Sequence, residues 1–287
     1  MRKCGWIKTS IIRGMVTKNK KYIGYVLLAC IICTFLYVTS FQEGFYDENI
    51  TNEDVFTAII VEPRKHPAFE FVLGNFLDNL DERWSIMVFH GTENETFVED
   101  IIAAKNTDRV SIVNTGRSNL TAEEYKAYMI STEFLHKVPT EVFLIFQTDT
   151  MICSEYKDTL EQFLKYDYVG APWKRIPKEY EREDNFVGNG GLSLRRKSKM
   201  LEILEKCSVT PSIIPEDVFF SFACPEVSIY KPPLENAKEF AIETIYNPKS
   251  WGIHAAWKKG NLMKDHVEDI EQQCKGYKIL VELNTSV

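Results

Sequence analysis

The sequence predicts an α/β domain with a mostly parallel sheet and helices on both faces. Two apolar runs of strand length, at residues 55–61 and 142–146, are rich in β-branched and aromatic side chains. Such runs suit strands that are covered on both faces. Segments with apolar residues at helical spacing, such as residues 69–80, lie between them. This alternation implies parallel strands joined by helices that cover the sheet.

The elements follow in order along the chain. The predicted strands are residues 55–61, 84–89, 110–113, 142–146 and 167–170. The predicted helices cover residues 69–80, 96–104 and 155–165. A further helix opens at Thr121, where Glu124 three residues later completes a capping box. No linker interrupts the region, so we expect one domain with a sizeable core.

An uncharged stretch at residues 22–41 predicts a transmembrane helix, because 20 residues span about 30 Å as a helix. Seven basic residues and no acid precede it, whereas acids follow it. The positive-inside rule then predicts a cytoplasmic tail at 1–21, an uncleaved signal-anchor at 22–41, a stem at 42–54 and a lumenal domain at 55–287. The alternative is a signal peptide cleaved after Val38-Thr39-Ser40, although its apolar core would be unusually long.

The charge balance argues against a nucleic-acid partner. Seven of the 34 basic residues precede residue 22, so 27 remain against 41 acids in the rest of the chain. Nucleic-acid affinity depends on basic contacts, which so acidic a domain is poorly suited to provide. The acidic excess otherwise indicates only a soluble, solvated surface.

Cysteines and glycosylation sequons are compatible with a translocated domain. Four cysteines follow the apolar stretch, at Cys153, Cys207, Cys224 and Cys274. They could form one or two disulfides, with three possible full pairings, or remain buried thiols. Their spacing does not match a zinc site. Four Asn-x-Ser/Thr sequons, which are weak evidence for a glycoprotein, begin at Asn49, Asn94, Asn119 and Asn284.

The segment Gln147-Thr148-Asp149 directly follows the apolar run 142–146. Ligands in open α/β sheets bind beyond the carboxyl ends of strands. An acid at this position can hold a divalent cation against a phosphorylated substrate. The alternative is that Asp149 caps the helix that follows.

Residues 187–195 read VGNGGLSLR, and the apolar alternation after the glycines predicts a strand. Three glycines in four residues let the backbone approach a ligand closely or adopt a positive φ. A plain glycine turn before an edge strand is the alternative. The spacing is neither GxGxxG nor a Walker loop, so it supports neither dinucleotide binding nor an ATPase.

Two further segments carry candidate functional residues. Pro215-Glu216-Asp217 is a helix start whose acids either complement the helix dipole or include a general base. His254 lies between Trp251 and Trp257. A histidine in such surroundings is more often packed in a core, unless a metal site lies nearby.

The order of these four segments resembles the landmarks of GT-A glycosyltransferases. Residues 216–218 (Glu-Asp-Val) and the Gly-Gly-x-x-x-Ser-like loop are similar to those of inverting fringe and β-1,3-galactosyltransferase-type enzymes. The segments GAPW at 170–173 and GNGGLSLR at 188–195 more closely resemble an incompletely characterised family described as glycosyltransferase-like. The resemblance extends over residues 55–258, nearly all of the predicted lumenal part.

The resemblance implies a GT-A fold with a metal-dependent site. Asp149 would match the last acid of the DxD motif, and His254 the C-terminal histidine. Together they would hold Mn²⁺ or Mg²⁺ on the diphosphate of a nucleotide-sugar. Asp217 would be the general base, and Glu216 would help to orient the acceptor.

The resemblance also assigns residues to the donor. Those expected beside it are Gln147, Thr148, Gly190, Gly191, Glu62, Arg64 and Trp173, the last as a flat face for a sugar. Gln147 stands where the motif has its first acid, so one carboxylate of the metal site is missing. A glutamine can still hydrogen-bond ribose or metal-bound water.

The predicted function is a type II membrane glycosyltransferase of the ER or Golgi. It would move a sugar from a nucleotide-diphosphate donor, with a UDP-sugar favoured, to a hydroxyl of a glycan or glycoprotein. One base and no second nucleophile in these segments favour inversion. Two alternatives remain: a non-catalytic, membrane-tethered sugar-binding domain of the same shape, which Gln147 keeps open, and a metal-dependent phosphohydrolase using Asp149 and His254.

Overall fold

The computed structural model describes residues 55–175, 187–208, 214–222, 224–258 and 264–286. The predicted cytoplasmic tail, signal-anchor and stem lie outside the described residues. Within the described ranges, no helix combines the length and apolar character needed to cross a membrane.

The strands of the described residues form two sheets. They are β1 Phe56–Val61, β2 Trp84–His90, β3 Val110–Asn114, β4 Val142–Phe146, β5 Thr150–Ile152, β6 Tyr168–Gly170, β7 Leu192–Arg196, β8 Ala241–Ile242 and β9 Gly252–His254. The larger sheet has the order β3-β2-β1-β4-β7-β6, and the smaller one the order β5-β9-β8. In the larger sheet only β7 runs against the other strands. The predicted mostly parallel sheet is therefore confirmed.

Helices connect and cover these strands. The α-helices of the described residues are α1 Phe69–Asn79, α2 Glu95–Lys105, α3 Ala122–Met129, α4 Thr132–Lys137, α5 Lys197–Lys206, α6 Glu216–Phe222, α7 Leu234–Phe240, α8 Val267–Gln273 and α9 Tyr277–Thr285. The capping box predicted at Thr121 is present: its hydroxyl accepts from the Glu124 backbone N–H (3.2 Å), and Glu124 accepts from the Thr121 backbone N–H (2.8 Å).

Both faces of the sheet are packed against helices. Alternate residues of a strand face opposite sides of the sheet, so each strand contributes to two cores. On β1, Ala58 and Ile60 join a core that includes Phe76 of α1. Ile59 joins a second core that includes Phe134 of α4. Phe76 also stacks on Phe146 at the end of β4, with ring centroids 3.9 Å apart. The prediction of helices on both faces is confirmed.

The segment predicted as a helix at 155–165 is a 3₁₀ helix, Ser154–Phe163. Two of its carbonyl groups bond to side chains. The Thr159 hydroxyl donates to the Tyr156 carbonyl (2.7 Å), and the Trp251 indole donates to the Lys157 carbonyl (3.2 Å). Such side-chain bonds compete with the regular helical ladder.

The four cysteines of the described residues form two disulfides. Cys153, directly after β5, is joined to Cys274 at the end of α8. Cys207, at the end of α5, is joined to Cys224 beyond α6. This is one of the three full pairings that the sequence left open. The second bond closes the segment that carries Glu216 and Asp217.

The topology brings the predicted site segments to one edge of the larger sheet. β1 and β4 are parallel with Ile59 opposite Ile145, so the residues after both strands emerge together. β7 is antiparallel to β4, with Leu192 opposite Phe146. The glycines that precede Leu192 therefore lie at the same edge as the residues that follow Phe146.

We expect loss of the Cys153–Cys274 disulfide to lower the free energy of unfolding by about 2–5 kcal/mol, because it constrains a long loop of the unfolded chain. The loop separation is 121 residues, against 17 for Cys207–Cys224. Urea unfolding of the double variant C153A/C274A measures the effect, with C207A/C224A as the matched control. A larger loss in the control would contradict the loop-length argument.

Candidate active site

A cleft of about 490 Å³ opens where the site segments meet. The predicted site residues that line it are Glu62, Arg64, Gln147, Thr148, Asp149, Gly190, Gly191, Glu216, Asp217 and His254. These residues come from five separate stretches of the chain. Lys126 and Lys258, to which the sequence assigned no role, also line the cleft.

Trp173 is not among the described residues that line the cleft. Its ring instead packs edge-on against Phe222 of α6, with centroids 5.8 Å apart. The structure therefore shows Trp173 in a packing contact and does not bring it to the other predicted donor residues.

Asp149 lies in the turn between β4 and β5. Its carbonyl oxygen accepts from the Ala255 backbone N–H (2.9 Å), which ties this turn to the residues after β9. The carboxylate is buried: Lys258 Nζ donates to Oδ2, whereas Oδ1 has no hydrogen-bond partner among the described residues. Burial raises the pKa of Asp149, but His254 and Lys258 outweigh burial and hold the pKa below its ordinary value. Because Asp149 leads into a strand, the helix-capping alternative is excluded.

His254 ends β9 and lies opposite Thr150 in the antiparallel pair with β5. Its Nε2 is 3.6 Å from Asp149 Oδ1, and its Nδ1 is 3.5 Å from Glu243 Oε1. Burial lowers the pKa of His254, but the carboxylates of Asp149 and Glu243 outweigh burial and raise it. The histidine is thus buried, as the packing alternative requires, yet it lies between two carboxylates.

Asp149 and His254 fit a divalent cation. The unpartnered Asp149 Oδ1 faces an imidazole nitrogen across 3.6 Å, which is longer than a hydrogen bond. Two ligand atoms at this separation can each lie about 2.1 Å from one ion. Two protein ligands leave the remaining positions to phosphate oxygens and water, as is usual for Mg²⁺ sites.

Gln147, at the position of the missing acid, is held to α3. Its Nε2 donates to the hydroxyl of Tyr125 at 3.0 Å. Burial of that hydroxyl raises the pKa of Tyr125 well above its ordinary value, so the group stays protonated. The amide is therefore bound to a neutral hydroxyl on the cleft wall.

Gly190 and Gly191 lie so close to neighbouring side chains that there is no room for a Cβ at either position. A Cβ added to Gly191 would overlap the imidazole of His254. A Cβ on Gly190 would lie 2.7 Å from Glu216 Oε2 and 2.9 Å from the Cβ of Asp217. The positive-φ glycines among the described residues are Gly116 and Gly276. Gly190 and Gly191 do not have a positive φ, and their backbone closely approaches side chains of the chain itself. The predicted close approach to a ligand stays a prediction.

Glu216 and Asp217 begin α6, and the two side chains make different contacts. Glu216 forms an ion pair with Arg195 of β7, whose side chain is buried. Asp217 Oδ2 accepts from the Gly190 backbone N–H at 3.3 Å. Burial, and next the charge of Glu216, raise the pKa of Asp217 to about 6. A carboxylate with such a pKa is suited to general-base chemistry near neutral pH.

Arg195 is a site residue whose role the sequence did not reveal. Its guanidinium also donates to Ser193 Oγ (2.9 Å) and to the Gly190 carbonyl (3.3 Å), and it lies over the ring of Tyr168 at 5.2 Å. It therefore fixes both the glycine loop and Glu216. The available signal was an arginine inside a buried strand, Leu192–Arg196, next to the glycine loop.

Two of the sequon asparagines brace the site loops. Asn94 is buried, and its Nδ2 donates to the carbonyl oxygens of Glu62 (2.9 Å) and Arg64 (3.0 Å). Asn284 of α9 donates to the carbonyl oxygen of Thr148 at 2.9 Å. A glycan on Asn94 is incompatible with this arrangement, because the amide nitrogen that would carry the sugar is buried and bonded.

Residues 89–254 match the family model described as "Protein of unknown function (DUF5672)", and the chain belongs to that family. The matched region contains Asp149, the glycine loop, Asp217 and His254, but it begins after Glu62 and Arg64. No curated protein matches the chain.

Among the solved structures with some similarity, two are glycosyltransferases by name and a third contains UDP-GlcNAc. WbbM, a bifunctional glycosyltransferase in its apo form, is 12% identical, with 82% of this chain and 52% of that chain covered and a TM-score of 0.43. The mannosyltransferase PcManGT from Pyrobaculum calidifontis, in complex with GDP-Man and Mn²⁺, is 13% identical (63% and 56% covered, TM-score 0.41). TarS 1–349 from S. aureus, in complex with UDP-GlcNAc, is 10% identical (62% and 58% covered, TM-score 0.39). The chain spans little more than half the length of each. Similarity at this level does not define the activity of this chain.

Replacing Gly191 by Ala should displace the His254 ring and lower the free energy of unfolding by about 1–3 kcal/mol, because the added methyl overpacks the site. Urea unfolding and the ring ¹⁵N–¹H resonances of His254 measure the two effects. Gly74→Ala is the matched control: its Cβ would meet only the flexible end of Lys105, with the nearest atom, Nζ, at 3.2 Å. Equal tolerance of both changes would contradict the close-approach explanation.

Proposed function

We propose that this chain is an inverting, metal-dependent GT-A glycosyltransferase that moves a sugar from a nucleotide-diphosphate donor to an acceptor hydroxyl. The observation that carries the proposal is the composition of one cleft. A buried carboxylate oxygen with no hydrogen-bond partner in the described part of the chain faces an imidazole nitrogen, and a carboxylate with a raised pKa lies beside the same glycine loop. A UDP-sugar donor and a glycan or glycoprotein acceptor are the favoured substrates.

Asp149 and His254 would hold Mn²⁺ or Mg²⁺, which supplies charge stabilisation for the departing diphosphate. Arg64 provides further positive charge at the rim. Its guanidinium is oriented by two hydrogen bonds to Glu62, each 2.7 Å long, while more than half of its side chain remains exposed. Such a fixed and accessible guanidinium suits a phosphate group.

Asp217 would take the proton of the attacking acceptor hydroxyl. It is the better base of the two neighbouring acids, because Glu216 is already engaged by Arg195. Glu216 would orient the acceptor from this fixed position. A single base without a second nucleophile corresponds to one displacement, and therefore to inversion at the anomeric carbon.

The proposed setting is a type II membrane protein of the ER or Golgi, with the domain in the lumen. The two disulfides support this setting, since such bonds persist in oxidising compartments and are rare in the cytosol. The uncharged stretch at 22–41 is the proposed anchor.

One observation favours the non-catalytic sugar-binding alternative. Lys258 already neutralises Asp149 through Oδ2, so the carboxylate has a counter-ion without any metal. If this pair persisted when donor bound, the cleft would bind nucleotide-sugar without activating it. Turnover separates the two functions.

The full chain, incubated with a panel of nucleotide-sugars, should release nucleoside diphosphate from one donor with Mn²⁺ and not with EDTA. The reason is that Asp149 and His254 do not themselves balance the negative charge of the departing diphosphate, whereas the cation that they would hold does. Donor-dependent thermal stabilisation without release would establish the binding alternative. If the whole panel gave no release and no thermal stabilisation, the result would contradict both functions.

Asp217→Asn should reduce kcat at least about 100-fold, the lower end of what general-base catalysis contributes, and leave donor binding unchanged. In the unmodified protein, kcat/KM should rise with pH through about 6 and then level off, since the base must be deprotonated. Asp78→Asn, an exposed acid of α1, is the matched control and should keep both the rate and the pH profile. Normal turnover in Asp217→Asn would exclude Asp217 as the base.

A further inference from the structure

Glu243 is a buried carboxylate to which neither the sequence nor the proposed reaction assigns a role. It follows β8, which is parallel to β9 with Ile242 opposite Ile253. The next residues of the two strands, Glu243 and His254, are therefore neighbours. Only 8% of Glu243 is exposed, although an ionised carboxylate is costly to bury without partners.

The partner of Glu243 on one side is His254. Oε1 of Glu243 lies 3.5 Å from Nδ1, the ring nitrogen that faces away from Asp149. Nδ1 and the second Glu243 oxygen, Oε2, are both buried without a hydrogen-bond partner among the described residues. A small rotation of either side chain would bring Nδ1 and Oε1 within hydrogen-bond distance.

The partner on the other side is the glycine loop. Asn189 Nδ2 donates to Glu243 Oε1 at 3.0 Å, and Asn189 Oδ1 accepts from the Gly191 backbone N–H at 2.7 Å. Gly191 in turn lies against the imidazole of His254. Glu243, Asn189 and Gly191 therefore form a closed set of contacts around the His254 ring.

We propose that Glu243 is the positioning residue of His254. It accepts a hydrogen bond from Nδ1–H and so fixes the tautomer whose Nε2 lone pair is free for a cation between Nε2 and Asp149. A ring nitrogen can bind a metal only when it carries no proton, and the hydrogen bond of the other nitrogen decides which one that is. The inference deepens the proposed function, because it rests on His254 as a metal ligand.

The first measurement is the tautomer of His254 in the full chain, from ¹⁵N spectra at alkaline pH, where the ring is neutral. The chain has five histidines, so His254→Gln assigns the signal. We expect the Nδ1-protonated form in the unmodified protein and a shift toward the other tautomer in Glu243→Ala. Glu243→Gln should retain the native tautomer, because its carbonyl oxygen still accepts. Glu235→Ala, at a side chain 80% exposed, is the matched control and should change nothing.

The second measurement is Mn²⁺ affinity by calorimetry without donor. We expect Glu243→Ala to weaken binding about 10–100-fold, the usual effect of losing such a partner, and Glu243→Gln to weaken it less. An unchanged tautomer in Glu243→Ala would overturn the inference. Weakened affinity with an unchanged tautomer would also overturn it, since Glu243 would then act as a ligand or by its charge.

The two measurements separate this inference from the proposed function. If the tautomer shifts in Glu243→Ala but the unmodified protein binds no Mn²⁺, the positioning role stands and the metal-dependent function fails. If Glu243→Ala does not fold, as judged by its unfolding curve, the tautomer in the nearly isosteric Glu243→Gln decides. Loss of the native tautomer there would overturn the inference.

Discussion

The site depends on one constraint: the backbone of Gly190 and Gly191 must lie in direct contact with two groups of side chains. His254 packs against Gly191, and Glu216 and Asp217 pack against Gly190. Any Cβ on this loop would push the two groups apart. The loop can lie there because β7 runs against β4, so that its start, and not its end, reaches the edge where Asp149 emerges.

Buried charges are arranged in pairs around that contact. Arg195 and Glu216 are paired beneath the loop, and removing one partner of such a buried pair typically costs about 3–5 kcal/mol. Asp149 is paired with Lys258, whose side chain is 57% exposed. The first pair is enclosed and fixes geometry. The second has one exposed partner, so the proposed cation could replace Lys258 as the counter-ion of Asp149.

The sequence predicted the α/β class, most element positions and ten of the residues that line the cleft, because these follow from local patterns. Apolar runs marked β1 and β4, and polar residues directly after a strand must emerge at an edge. Contacts between distant segments left no comparable signal. Glu243 directly follows a short strand and Lys258 is one of many lysines, so neither position stands out in the sequence. Trp173 was assigned from the resemblance, as a flat face for a sugar, and its packing against Phe222 depends on where α6 lies.

The number of charged groups in the cleft offers a reason for the glutamine at position 147. Four carboxylates already line the cleft: Glu62, Asp149, Glu216 and Asp217. Three of them are paired with cations: Glu62 with Arg64, Glu216 with Arg195 and Asp149 with Lys258. A fifth carboxylate at 147 would face the hydroxyl of Tyr125, which is neutral. The amide of Gln147 donates to that hydroxyl instead, so the cleft wall is satisfied without another cation. Compared with the DxD motif that the sequence resembles, the glutamine gives the cleft one carboxylate fewer, and the acid beside His254 stays in place.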